Sequence, residues 1–168
     1  MRTKEGKAAR VRYLFIFKKK RDGQLKKSYL KNVKLPYVLL ADSDSTHRNS
    51  FVTVFEKQVA YATVSTVDDG RSLLSFLTDC GWKDLPSLIV VNYRLQDMEA
   101  PDLLRELLLD TRYMKIPKMV WSSTGAQKEQ DECRILGIKH YIKTSDDIFE
   151  LENNVRKIDS LLRSELRL

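Results

Sequence analysis

The stretch that most constrains this chain is Leu88 to Asn92, which reads Leu-Ile-Val-Val-Asn. Four apolar residues, three of them β-branched, run into one polar residue and then a loop, Tyr93-Arg94-Leu95-Gln96-Asp97. That pattern predicts a strand buried on both faces and central in a parallel sheet. In open sheets of this kind the ligand-facing chemistry lies just beyond the carboxyl ends of the strands. Asn92 occupies that place, so the chain has an amide where a sheet of this kind could present a carboxylate.

The flanking sequence repeats the pattern. Val38-Leu39-Leu40-Ala41 reads as a first strand and ends in Asp42-Ser43-Asp44-Ser45-Thr46. Ser45 or Thr46 is expected to cap a helix with Phe51, Val54 and Phe55 at helical spacing. Ala60 to Val67 is strand-like. Asp68-Asp69-Gly70 opens a second helix with Leu73, Leu74 and Leu77 on one face, and Gly81 suits a left-handed cap after it. Pro86 precedes the central strand. A third helix is expected from about Pro101 to Asp110. A fourth strand, Lys118 to Trp121, ends in Ser122-Ser123. A polar helix, Ala126 to Leu136, is closed by Gly137. The fifth strand, Ile138 to Ile142, ends in Lys143. A last helix carries Ile148, Leu151, Val155, Ile158 and Leu162 as a ladder of three and four. Five strands alternating with five helices predict an α/β fold, a doubly wound five-stranded parallel sheet with helices on both faces.

Charge divides the chain. Residues 1–34 hold 13 Lys and Arg against 2 Asp and Glu, and residues 35–168 hold 17 against 21. The overall +7 is therefore the average of a strongly basic leader, 1–34, and a mildly acidic domain, 35–168. Asp22-Gly23 is a good turn dipeptide, so the leader is expected to be flexible or to form a hairpin from about Arg10 to Tyr29. Tyr13, Phe15 and Phe17 alternate with Leu14 and Ile16 beside lysines, a composition compatible with stacking and phosphate neutralisation. A nucleic-acid or acidic-partner arm, a solvated tail and a start codon placed too early all remain open. No apolar run approaches the roughly 20 residues that span a bilayer, and the Tyr13–Phe17 run is too short for a signal peptide. A cytoplasmic location is expected. Cys80 and Cys133 both fall in predicted helices and are read as reduced and structural.

The strand ends collect polar residues: Asp42, Ser43 and Asp44 after the first, Asn92 after the third, Ser122 after the fourth and Lys143 after the fifth. Strand ends meet solvent, so any one of these is unremarkable. All four ends together, with a lysine able to pair with Asp42, point to a common site. This set resembles the receiver domain of two-component response regulators, the CheY-like fold. The resemblance covers about residues 36–165 and rests on Leu-Leu-Ala-Asp-Ser-Asp, the Asp69-Gly70 helix start and Asn92-x-x-Leu95. Ser122 after Trp121, and Gly137 before a strand ending in Lys143, also carry it.

The resemblance implies phosphorylation of an aspartate after the third strand by a histidine kinase. It further implies Mg²⁺ held by acidic residues after the first strand, and a hydroxyl and a lysine that contact the phosphoryl group. An aromatic residue shortly before the lysine would turn with them. Asp42 matches the first acidic position, Ser122 the hydroxyl, Lys143 the lysine and His140 the aromatic. Asn92 stands where the acceptor belongs, and a neutral amide cannot form an acyl phosphate. Ser43 replaces the second acid, and Mg²⁺ favours carboxylate oxygens. Gln96, Ala100 and Thr144 also depart from the pattern, and a trans Lys143–Thr144 bond is expected. The resemblance thus implies a pseudo-receiver with weak or no Mg²⁺ binding, only Asp42 remaining as a residual ligand, and no catalytic residue. Asp42 is expected to pair with Lys143.

The chain ends soon after the fifth helix, so output is expected through a partner. That partner would be a sensor histidine kinase or another signalling protein, docked on the fourth and fifth helices and the fifth strand, or a second copy of the chain. A second resemblance is to haloacid-dehalogenase-like phosphatases, whose Asp-x-Asp-x-Thr string matches Asp42-Ser43-Asp44-Ser45-Thr46. It implies a Mg²⁺-dependent phosphohydrolase with Asp42 as nucleophile and Asp44 as general acid/base. Asp146-Asp147 would supply its acidic pair. A third reading has the leader binding nucleic acid.

Overall fold

The computed structural model describes residues 14–19, 25–30 and 35–168. The chain divides into two compact units, Met1–Leu35 and Pro36–Leu168. In the first, β1 (Leu14–Lys19) and β2 (Leu25–Leu30) pair antiparallel, with Leu14 opposite Leu30 and Lys19 opposite Leu25. The expected Asp22-Gly23 turn, like the rest of the leader, lies outside the described residues.

In the second unit Leu88–Asn92 is strand β5, and its four apolar residues are fully buried. It lies between β3 (Tyr37–Ala41) and β6 (Lys118–Ser122). With β4 (Thr63–Val67) and β7 (His140–Lys143) at the edges, the order is β4-β3-β5-β6-β7, all parallel. Side chains alternate across the sheet, as the two-residue period of a strand requires. Leu39, Ala41, Ile89, Val91 and Val120 point to one core. Val38, Leu40, Leu88, Val90, Met119 and Trp121 point to the other.

Two helices cover the second core. They are α1 (Ser45–Gln58), through Phe51, Val54 and Phe55, and α5 (Ile148–Leu166), through Val155, Ile158 and Leu162. Three cover the first: α2 (Gly70–Thr78), α3 (Ala100–Leu109) and α4 (Gln127–Ile135). The doubly wound sheet with five helices expected from the sequence is the fold. Among the described residues no helix is long and apolar enough to cross a membrane.

Several local expectations need correction. The helix after β3 is capped by Asp44, not by Ser45 or Thr46. The Asp44 carboxylate accepts the Thr46 and His47 amides at 2.7 and 3.1 Å. Gly81 is not left-handed: its φ of −69° is extended backbone before a short 3₁₀ turn, Trp82–Asp84. The preceding helix stops at Thr78, which leaves Cys80 outside it. Among the described residues the glycines with positive φ are Gly125, at 62°, and Gly137, at 77°. Asp69 does open α2, accepting the Ser72 amide at 2.6 Å. Among the described residues no peptide bond is cis, so Lys143–Thr144 is trans.

One polar residue is buried below the sheet. Lys118 Nζ donates to the carbonyls of Tyr113, Met114 and Ile116 at 2.6, 3.3 and 2.8 Å. It thereby satisfies the turn that delivers β6. Burial pushes its pKa down to about 8.

Two measurements check this packing. Phe51 is fully buried and meets Trp121 edge-on at 5.2 Å, so Phe51→Ala should cost about 3–5 kcal/mol in chemical denaturation. Exposed Trp82→Ala should stay within about 0.5 kcal/mol. Lys118 has a lower pKa folded than unfolded, so the native chain should gain stability as pH rises from about 8 toward the unfolded value. Lys118→Met should lack that rise, and its absence is read from denaturation midpoints across the same pH range.

Candidate functional site at the carboxyl rim of the sheet

The strand order sets the rim. Ala41 is paired with Val91, Asn92 with Trp121 and Ser122 with Lys143. Asp42, Asn92, Ser122 and Lys143 therefore follow one another across the ends of β3, β5, β6 and β7. The sequence-predicted residues are brought to one edge, but most of their polar atoms are engaged by neighbours that the sequence did not single out.

Asp42 is fully buried. Its Oδ1 accepts the Asp44 amide at 2.8 Å, and its carbonyl accepts the Arg48 guanidinium. Among the described residues its Oδ2 has no hydrogen-bond partner, and it faces His47 Nδ1 at 3.5 Å. The other ring nitrogen, Nε2, lies 3.3 Å from Oδ1 of exposed Asp146. The expected Asp42–Lys143 pair is thus not made. Lys143 is exposed, and its stem lies against the glycine of the next loop, where a Cβ on Gly125 would sit 2.9 Å from Lys143 Cδ. A residue one helical turn into α1 reaches Asp42 first.

Ser43 is a clamp. Its hydroxyl donates to the Asp68 carbonyl and accepts the Gln96 amide, both at 2.8 Å, tying the ends of β3 and β4 to the loop after β5. Asp44 carries the α1 cap, and the His47 and Thr46 amides hold its carboxyl below the usual range. Asn92 Oδ1 accepts the Arg94 amide at 3.2 Å, a turn within its own loop. Further along, the Asp97 carboxylate accepts the Gly70 and Arg71 amides, both at 2.9 Å, at the start of α2. Asp147 caps α5 through the Phe149 and Glu150 amides.

The far half of the rim is organised by Glu129, from the first turn of α4. The residue is almost completely buried, at 4% exposure. Oε2 accepts three hydroxyls, Ser122 at 2.6 Å, Thr124 at 2.8 Å and Tyr141 at 2.8 Å. Oε1 meets the Arg94 guanidinium at 3.1 Å. Burial alone would raise the carboxyl, but the Ser122, Thr124 and Tyr141 bonds and the Arg94 charge hold it below the usual range. Burial pushes Tyr141 up to about 12. Beside this group Tyr93 donates to Glu132. His140 turns to the other side of β7, where it lines a groove with Met119, Ile142 and Leu161 against α5.

Sequence reasoning missed Glu129, Thr124, Tyr141, Arg94, His47 and Asp97. Glu129 had one signal. It is a carboxylate in the first turn of a helix whose N-cap, Ala126, has no side-chain oxygen, and it follows Ser122-Ser123-Thr124. His47 and Tyr141 had none, because a side chain one turn into a helix, or one before an apolar strand residue, reads as ordinary surface or core.

No protein-family model matches the chain, and no curated protein matches it in sequence. Solved structures do. The phosphorylated cyanobacterial phytochrome response regulator RcpA aligns with a TM-score of 0.69 at 20% identity, over 77% of this chain and 95% of that one. A two-component response regulator from Legionella pneumophila gives 0.66 at 20% identity, over 77% and 98%. The Mn(2+)-bound form of response regulator Rcp1 gives 0.66 at 19%, over 74% and 92%. Similarity at this identity establishes the fold, which is CheY-like.

The caps make the rim acid-sensitive. Asp44 is more acidic folded than unfolded, so its contribution is present above about pH 4 and is lost as pH falls through the lowered folded value. Asp44→Ala should lower the melting temperature at neutral pH, and the gap to the native chain should close below about pH 4, read by thermal melts across that range.

Proposed function

We propose that this chain is a receiver-like signalling module that takes no phosphoryl group at Asn92 and acts by binding another protein. The observation that carries the reading is the Asn92 side chain. It is an amide at the acceptor's place in the fold, turned into its own loop by the Arg94 amide. Forming an acyl phosphate needs a carboxylate oxygen to attack phosphorus, and Asn92 has none to offer.

The surrounding donors support the same reading for the metal that the fold family implies. A hard divalent cation wants about six oxygens, carboxylates first. Here Ser43 joins two loops, Asp44 caps α1 and Asn92 closes a turn. Asp44 uses Oδ1 for the α1 cap, and the Asp42 Oδ2 that no hydrogen bond engages faces the His47 imidazole. The residues present do not fit Mg²⁺, so no metal step belongs to the proposed mechanism. The same geometry argues against the phosphatase reading. Asp42 is closed off from solvent, and Asp44 is held ionised by two amides instead of being poised to give a proton.

Partner binding is assigned to the face made by α4, β7 and α5. Ile135 at the end of α4 and Phe149 at the start of α5 are apolar and largely exposed. A sensor kinase or another signalling protein is the class of partner that this fold suggests, and such binding would not wait for phosphorylation.

The test is intact mass after incubation with Mg²⁺ and acetyl phosphate. The native chain should gain no phosphoryl group. The double variant Ser43→Asp/Asn92→Asp, which restores both carboxylates, should gain one. A phosphoryl group on the native chain would overturn the reading, with Asp42 the first residue to map. A double variant that stays unmodified would show that the rim is not receiver-like.

A further inference from the structure

Among the described residues Glu129 is the only acidic side chain besides Asp42 buried below a tenth of its surface, and its carboxylate is far better coordinated. Its donors come from three separate segments: Ser122 and Thr124 from the end of β6 and its loop, Tyr141 from β7, and Arg94 from the loop after β5. Three hydroxyls on one carboxylate oxygen and a guanidinium on the other form a site for an oxyanion. Hydroxyls and arginine are the groups that hold carboxylates and phosphates, and charge-assisted bonds of this kind are about twice as strong as neutral ones. The anion in the site belongs to the chain and enters from α4.

We propose that Glu129 is an internal anionic ligand, filling an oxyanion site built by Ser122, Thr124, Tyr141 and Arg94 and so holding α4 against the ends of β6 and β7 without any bound or transferred anion. The inference goes beyond the reading above and does not depend on it. Whether the α4 face then binds a partner rests on that reading, whereas the occupant of the oxyanion site does not.

The geometry explains two features of the neighbourhood. Helix α4 has no side-chain N-cap, because Ala126 stands at that position. The anchor that would ordinarily fix its first turn is replaced by Glu129 reaching away from the helix to the sheet. Thr124 donates to the carboxylate while its Oγ1 accepts the Ala126 amide at 3.3 Å, and Ser122 Oγ accepts the Thr124 amide at 3.3 Å. The loop between β6 and α4 is therefore folded around the carboxylate. Ser122, which the sequence marked as a phosphoryl contact, already has an anion at 2.6 Å.

The decisive experiment is amide hydrogen–deuterium exchange on the full chain, with Glu129→Ala and a small carboxylate, formate, as the probe. In Glu129→Ala the amides of α4 and the β6–α4 loop should exchange at least about tenfold faster than in the native chain, while β3 and β5 stay protected. Formate should restore the protection, and chloride at matched ionic strength should not. The proposal fails if α4 is as protected in Glu129→Ala as in the native chain, or if formate does no more than chloride. Should Glu129→Ala unfold, seen as loss of protection in β3 and β5, the milder Tyr141→Phe and Arg94→Gln variants decide. Faster exchange confined to α4 and its loop supports the proposal, and unchanged exchange in both overturns it. None of these readouts involves phosphorylation or a partner.

Discussion

A parallel sheet covered on both faces sends polar chemistry to the ends of its strands. The β5 residues Leu88–Val91 are fully buried between two helical layers, so no polar side chain fits along the strand, and each strand meets solvent at its carboxyl end. That constraint gathers Asp42, Asn92, Ser122 and Lys143 at one rim. It also gives them a common problem. Polar groups drawn to the edge of an apolar core need partners there, because an unpaired buried group costs about 1–3 kcal/mol.

The chain meets most of that need from within, the buried Asp42 Oδ2 excepted. On one half of the rim His47 faces Asp42, Ser43 joins two loops, and Asp44 and Asp97 hold helix starts. On the other half a buried glutamate collects three hydroxyls and an arginine. Between them Asn92 closes its own turn. On the reading proposed above, a rim engaged in this way presents a fixed surface and takes up neither a cation nor a phosphoryl group. The similar solved structures include a phosphorylated and a Mn(2+)-bound response regulator. The same fold thus supports, in this chain, a proposed function that needs neither.

The fold was legible because its signals are periodic and local. Leu-Ile-Val-Val in β5, the ladder from Ile148 to Leu162 in α5 and Asp69 before α2 each report on their own element. The positions of Asp42, Asn92, Ser122 and Lys143 followed from topology alone, since strand ends converge whatever the side chains do. Their partners did not follow. Asp42 was expected to meet Lys143, but His47 is one turn into the adjacent helix, while Lys143 lies along the loop at Gly125. Glu129 was hidden for a related reason. A glutamate in a polar first turn reads as solvated, and only the folded chain brings Tyr141 and Arg94 to it. Gly81 shows the opposite error: a glycine after a helix suggested a left-handed cap, but the helix had ended at Thr78 and the chain was already extended.

The central claim is that most of the rim's ligating atoms are engaged by the chain's own amides and side chains. The most direct measurement is an NMR titration of the native protein with Mn²⁺, reading paramagnetic broadening of backbone amide signals. The account predicts no saturable broadening centred on Asp42–Asp44 and Asn92, only weak and diffuse effects at exposed carboxylates. Saturable broadening focused on Asp42 and Asn92 would contradict it and would mean that the rim opens to take a metal.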